Sequence, residues 1–330
     1  MSRKCGKDWI GIVLFALAAI CRPAFAHPVC LVGRDTTLYR FNADGNGLME
    51  EFSNTSGEMI VGMTRVPPGV AVAGCVAGDV IAVEGGPNSL NRVWRVNHAA
   101  CGTPELEVIG DISNGVASIA FANGRLFGIA SSAEFREFDL TTFDMIPCEC
   151  NVDLSPTAGT GGVAFAGVDT WYALGQLSAG IDRLFRFVDP ATEGGLMEVG
   201  DPAIGIGDCG LEYFGGELWG GFRGPGNRVY VGKFNLQTGA FTTIWFRENG
   251  NNSHTFGIVM LPERSAISGD LNCDGDVNQL DVAPFVLALT NPSGFDAALP
   301  DCSILNADLS GDCIVNGMDV QPFVDALLGS

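Results

Sequence analysis

VASIAFANGRLFGIASSAEFREFDLTTFDMI, residues 116–146, packs four short apolar runs into 31 residues. VASIAF begins at Val116, LFGIA at Leu126, FREFD ends at Asp139 and FDMI begins at Phe143. Runs of this length, rich in β-branched and aromatic residues and broken by Asn, Asp and Gly, read as β-strands joined by tight turns. One such unit cannot bury both of its faces alone, so the rest of the chain should repeat it.

It does. Strand-like segments begin at Leu31, Val80, Leu126, Trp171 and Leu218, separated by 49, 46, 45 and 47 residues. Each is followed by a run that ends in Asn or Asp, namely LYRFN to Asn42, VWRVN to Asn97, FREFD to Asp139, LFRFVD to Asp189 and VYVGKFN to Asn235. A third run follows each of those: LMEEF from Leu48, ELEVI from Glu105, FDMI from Phe143, LMEV from Leu196 and FTTIWF from Phe241. Before four of the five lies another apolar strand, VAVAGC from Val70, VASIAF from Val116, GVAFAG from Gly162 and GLEYF from Gly210. Four strands in every 45 to 50 residues is the pattern of a β-propeller.

The first unit lacks its leading strand, and the segment from Thr255 to Leu261 is an apolar strand with nothing after it. If that segment fills the first unit, the ring closes and no sheet edge is left open to aggregation. The expectation is a mainly β chain with a five-bladed propeller closed by its N- and C-terminal strands. Residues 58–66 fit none of the repeats and read as an insertion or extra strand, so a six-bladed ring is the alternative. The strand aromatics, Phe127 and Trp219 among them, and Met59 read as core.

Catalytic patterns are sparse in this region. There is no G-x-S-x-G, H-E-x-x-H or P-loop, and the three histidines, His27, His98 and His254, are scattered. Asp111, Asp169, Asp182, Asp201 and Asp208 lie between strands, where acidic turn residues are expected in so acidic a chain. No catalytic residue is assigned from the sequence, and the ligand of the propeller, carbohydrate or protein, stays unknown.

A second duplication lies at the C-terminal end. DLNCDGDVNQLD, Asp270 to Asp281, is echoed by DLSGDCIVNGMD, Asp308 to Asp319, 38 residues later. The match runs on through Val282, Pro284, Phe285, Val286, Ala288 and Leu289, which recur as Val320, Pro322, Phe323, Val324, Ala326 and Leu327. A twelve-residue calcium loop supplies oxygens from positions 1, 3, 5, 7, 9 and 12, the seventh through its carbonyl. In the first loop these are Asp270, Asn272, Asp274, Asp276, Asn278 and Asp281, with Gly275 at the sharp turn. In the second they are Asp308, Ser310, Asp312, Ile314, Asn316 and Asp319. Hard oxygen donors select calcium over zinc, so two calcium ions are expected. Residues 266–330 carry ten Asp and no Lys or Arg, a charge that opposes folding until cations neutralise it.

The twelfth ligand is Asp rather than Glu, and no amphipathic helix precedes the first loop. A loop followed by one helix, given twice, resembles the type I dockerin. That resemblance implies two units packed face to face and a cohesin-like protein module as partner. It places partner-binding residues at the tenth and eleventh loop positions, here Gln279 and Leu280, and Gly317 and Met318. The small hydroxyl pair often found at those positions is missing. Cys313 stands sixth in the second loop, where a left-handed backbone would cost it roughly 1–2 kcal/mol, so a weaker second site is expected.

Residues 1–26 read as a signal peptide: Arg3, Lys4 and Lys7, an apolar run from Trp9 to Ile20, then Ala24-Phe25-Ala26. The expected division is a signal peptide over 1–26, a β-propeller over 27–265 and a paired, α-helical calcium-binding module over 266–330. Removing the signal leaves 14 basic against 37 acidic side chains, a balance that repels nucleic acid and anionic membranes. The chain is therefore expected outside the cell or at its surface, with neither nucleic acid nor membrane as partner. Nine cysteines remain, and disulfides form in an oxidising compartment. Cys273 with Cys302 would staple the first loop to the linker before the second. Three readings stay open: a non-catalytic binding or scaffold propeller carried by a dockerin-like module, a dockerin-borne glycoside hydrolase, and a calcium module that is purely structural.

Overall fold

A computed structural model describes residues 29–34, 37–42, 50–53, 60–75, 78–84, 92–97, 105–112, 116–130, 135–146, 161–177, 181–188, 195–205, 209–247, 256–261, 268–299, 302–310 and 314–329. The expected signal peptide, the three histidines, Met59, Asp208, Asp312 and Cys313 lie outside these residues.

The chain lays down strands in groups of four. The first group opens with β1 (Val29–Arg34), β2 (Thr37–Asn42) and β3 (Glu50–Ser53). The second is β4 (Ile60–Arg65), β5 (Val80–Glu84), β6 (Arg92–Asn97) and β7 (Glu105–Asp111). The third is β8 (Val116–Ala122), β9 (Arg125–Ala130), β10 (Phe135–Phe138) and β11 (Met145–Ile146). The fourth is β12 (Val163–Phe165), β13 (Thr170–Leu177), β14 (Ile181–Val188) and β15 (Met197–Gly200). The fifth is β16 (Cys209–Phe214), β17 (Glu217–Gly224), β18 (Arg228–Phe234) and β19 (Phe241–Arg247). Finally β20 (Phe256–Leu261) returns to the first group, antiparallel to β1 from Val29 opposite Leu261 to Arg34 opposite Phe256.

Among the described residues this makes five four-stranded antiparallel sheets. Their leading strands neighbour one another in a cycle, β20 beside β4, then β8, β12, β16 and β20 again. The arrangement is propeller-like, and the strand that closes it is the one its sequence singled out.

The core lies between sheets, not within one. Trp171 of the fourth sheet sits edge-on to Phe135 of the third at 5.0 Å and stacks on Phe187 at 5.9 Å. Such aromatic pairs add about 0.5–1.5 kcal/mol beyond their burial. Phe127 and Trp219 are buried, as expected of core residues. Asp and Asn at the ends of the third strands also find a reason. The Asp139 Oδ1 accepts from the amides of Thr141 and Thr142 at 2.8 Å each. The Asn235 Oδ1 accepts from Gln237 and Thr238 at 2.9 and 3.0 Å, the same turn two sheets later.

One assignment is corrected. The leading strand of the second sheet is not VAVAGC from Val70 but β4, inside the stretch read as an insertion. Residues 67–77 are a loop, since Val66 and Gly78 carry the β4–β5 pairing outward through Val66 N–H to Asp79 (2.8 Å) and Gly78 N–H to Val66 (2.9 Å). Val72 and Cys75 form only an isolated bridge. Gly62 explains why β4 hid: its register slips there, and a Cβ would stand 2.9 Å from the Ile119 nitrogen of β8. The residues behind the six-bladed alternative therefore complete the second sheet.

The C-terminal segment is helical. α1 (Val282–Thr290), α2 (Pro292–Ala298) and α3 (Val320–Leu328) are joined by single 3-10 turns at Gln279–Asp281, Ile304–Ala307 and Gly317–Asp319. α1 and α3 begin directly after Asp281 and Asp319, and Pro284 and Pro322 fall in their first turns, where proline is tolerated. α2 was not expected. Asn291 starts it by accepting from the Gly294 amide at 3.1 Å, and it buries Phe295 completely. No described helix is long and apolar enough to cross a membrane.

Candidate metal centre

The two loops adopt the same local structure. Asn278 has φ −149° and ψ −172°, and Asn316, its counterpart, has −152° and −170°. Each accepts from the amide two residues on, Leu280 at 2.8 Å and Met318 at 2.7 Å. Each is closed by a capping box whose far member is the last loop residue, Asp281 or Asp319.

Those terminal Asp residues are the knots. Asp281 is fully buried; its Oδ1 accepts from Leu271 (2.7 Å) and Asn272 (3.0 Å), and its Oδ2 from Asn278 (2.8 Å). Asp319, equally buried, accepts from Ser310 at 2.9 Å and Asn316 at 2.8 Å. Burial alone would raise the Asp319 pKa, but the amides of Asn316, Ser310 and Leu309 outweigh it and hold the carboxyl below the usual range.

At the head of the first loop the Asp270 carboxylate accepts from Asp274 N–H at 3.2 Å and Gly275 N–H at 3.0 Å. Asp274 accepts from Asn272 Nδ2 at 2.7 Å and from the Asp276 amide at 3.0 Å, which keeps its carboxyl well ionised. Gly275 turns the chain at φ +97°, as its position requires. Cys273 is also left-handed, at φ +56°, a demand the sequence reading missed. In the second loop the same place is held by Gly311.

The expected ligand residues are thus folded around one another, and every expected donor is an oxygen, the chemistry calcium prefers. Among the described residues no three His, Cys, Asp or Glu side chains converge as a ready-made ligand cluster, because the carboxylates are engaged by the loop's own amides. The ligand set fits calcium by donor type and loop position rather than by a preformed cage.

The two units pack face to face. Phe285 and Phe323, which match across the duplication, stack with centroids 4.0 Å apart, over a core of Leu271, Ala288, Phe295 and Ala307. Cys273 and Cys302 form the expected disulfide, with Cα atoms 5.9 Å apart. Sequence reasoning missed Asn306. It is fully buried, its Nδ2 donates to the Asp270 carbonyl at 2.7 Å, and its own carbonyl accepts from Gly269 N–H at 2.8 Å. Ser268 stands at the matching place in the first unit, so the duplication carries no signal for it. Gln279, Leu280, Gly317 and Met318 are all exposed, Leu280 at 67% and Met318 at 68%.

In the ring, the acidic candidates have structural partners. Asp201 accepts from Arg183 at 2.9 Å and from the Ala203 amide at 2.7 Å, and Asp169 from Asn123 at 3.5 Å. Asp111 is exposed, and Asp182 is buried in β14. The perturbed acid is one the sequence did not mark. Burial pushes Glu212 of β16 from 4.5 up to about 8, against the opposing pull of the Arg65 charge at the end of β4. The Arg65 guanidinium also lies 6.0 Å from the Phe214 ring centre, so β4 and β16, the flanks of β20, meet through these side chains.

No protein-family model matches the chain, and no curated protein matches it. Among solved structures, it is similar to a PQQ-bound aldose sugar dehydrogenase from Streptomyces coelicolor at 13% identity and a TM-score of 0.39, over 70% of this chain and 91% of that one. It is similar also to a candidate 6-phosphogluconolactonase from Bacteroides fragilis at 13% identity and a TM-score of 0.40, over 71% of this chain and 98% of that one.

Proposed function

We propose that this is a secreted, calcium-binding protein in which a five-bladed β-propeller serves as a non-catalytic binding unit. A type I dockerin-like module, holding two calcium ions, joins it to a cohesin-like partner. The observation that carries the reading is the repetition of one loop conformation, closed twice by a buried Asp, Asp281 and Asp319, over a stacked Phe285–Phe323 pair. Asp270, Asn272, Asp274, Asp276, Asn278 and Asp281 would hold the first ion, and Asp308, Ser310, Asp312, Ile314, Asn316 and Asp319 the second. A bound divalent cation supplies the positive charge that ten Asp without a Lys or Arg call for, and its binding appears as folding energy.

Five sheets whose leading strands form a closed cycle favour five blades. Export is favoured by the leader-like residues 1–26 and by the Cys273–Cys302 disulfide, a bond that persists in oxidising compartments. Partner binding is favoured by Leu280 and Met318, large apolar side chains exposed at equivalent places on the two units.

The test is calorimetric titration of the secreted chain with calcium, followed by capture on immobilised cohesin modules with and without chelator. Two bound ions and calcium-dependent capture are expected. Two ions without capture would leave the module purely structural, and no calcium binding would overturn the reading. Release of reducing sugar from polysaccharide by the secreted chain would overturn the non-catalytic assignment.

A further inference from the structure

We infer that the Cys273–Cys302 disulfide and Asn306 are positioning groups for the first loop, a brace the second loop does without. The inference rests on the calcium reading above and names what tunes the first of its two sites.

Three observations converge on one short stretch of linker. Cys273 is the fourth residue of the first loop, between the expected ligands Asn272 and Asp274, and it is the residue held left-handed at φ +56°. A side chain with a Cβ resists that conformation by roughly 1–2 kcal/mol. Its sulfur is tied to Cys302, which is buried in the module core. Four residues on, Asn306 grips the entrance of the same loop from both sides, donating to the Asp270 carbonyl at 2.7 Å and accepting from Gly269 at 2.8 Å. Its Nδ2 also lies 3.6 Å from the Cys273 sulfur and 3.8 Å from the Cys302 sulfur, so the disulfide and the amide form one contact.

The mechanical consequence is local. Asp270 accepts from the amides of Asp274 and Gly275, directly after Cys273, so the turn at Cys273 sets whether those amides point at the carboxylate. Without the cross-link, a non-glycine residue at position 273 relaxes out of the left-handed region and takes both amides with it. The second loop has Gly311 at this place, which needs no brace. Strength and strain are therefore distributed differently in the two copies: the first loop is held by a covalent tie, the second by a residue that tolerates the turn.

Two double variants of the secreted chain test this, Cys273→Ser/Cys302→Ser and Cys273→Gly/Cys302→Ser. Calorimetric titration with calcium should show one of the two sites weakened roughly tenfold in the first variant, a factor that corresponds to the cost of the strained turn. The glycine variant should recover part of that loss, which a merely structural disulfide would not permit. Amide exchange in chelator gives a reading free of calcium. Exchange at residues 274 and 275 should quicken in the serine variant and slow again with glycine, while Ser310 and Asn316 stay unchanged. If the parent chain takes up no calcium, the reading of the module fails while the exchange arm still judges the brace. Unchanged exchange in the serine variant, or a glycine variant as loose as the serine one, would overturn the inference.

Discussion

The ring and the helical module solve the same problem with different means. In the ring, twenty strands pair in five closed groups, and stacked aromatics such as Trp171, Phe135 and Phe187 fill the spaces between sheets. In the module, one stacked pair, Phe285 on Phe323, spans two units whose loops are knotted by buried carboxylates. The ring has its favourable terms built in. The module gathers ten Asp with no Lys or Arg and depends on added cations to neutralise them. The difference teaches where stability should be conditional: absent from the ring's dependence on calcium, and dominant in the module's.

The largest effect is expected at the ring's closure. Val259 is fully buried in β20 and pairs with Leu31 of β1, so Val259→Pro removes a ladder hydrogen bond and a core side chain together. A loss of about 3 kcal/mol or more is expected, with aggregation from the exposed edge of the first sheet. Light scattering and thermal melting check it, and a soluble variant that melts like the parent would break the closure.

Asp281→Ala comes next. It strands three amides, Leu271, Asn272 and Asn278, of which those left buried cost about 1–3 kcal/mol each. The expected result is loss of the module's helical signal in calcium with the ring's melting unchanged. A ring that melts earlier in this variant would show that the two regions share their stability.

Glu212 sharpens the comparison from the ring side. Its pKa is raised to about 8 in the folded chain against about 4.5 when exposed, so between these values the folded state binds the extra proton. Its contribution is complete below pH 4.5 and is lost as pH rises toward 8. Glu212→Gln should therefore melt higher than the parent at pH 8 and close to it near pH 4, with no dependence on calcium. A parent whose ring stability does not fall over that range would contradict the burial of this acid.

The smallest effect on stability belongs to Leu280→Ser. At 67% exposure the substitution should stay within about 0.5 kcal/mol, while capture on a cohesin-like partner weakens. Loss of stability without loss of capture would move Leu280 into the core.

Much of this architecture was legible because it repeats. The Asn and Asp at strand ends marked turns that Asp139 and Asn235 make through their own oxygens, and the orphan strand at 256–261 announced the closure. The loops were legible because oxygen donors at fixed spacing have few other uses, and Cys273–Cys302 because it bridged loop and linker. What escaped notice depends on single close approaches. β4 carries Gly62 and a register slip where a clean alternation was sought, while the more apolar VAVAGC lies in a loop. Asn306 and the Arg65–Glu212 meeting join residues far apart in the chain that no repeat relates, so only the folded backbone brings them together.

The most direct test of the whole account is scanning calorimetry of the secreted chain, once in chelator and once in calcium, with circular dichroism followed in parallel. The account predicts a ring transition at the same temperature in both and a second, helical transition that appears or moves sharply upward only with calcium. A helical signal that forms and melts identically in chelator and calcium would contradict it.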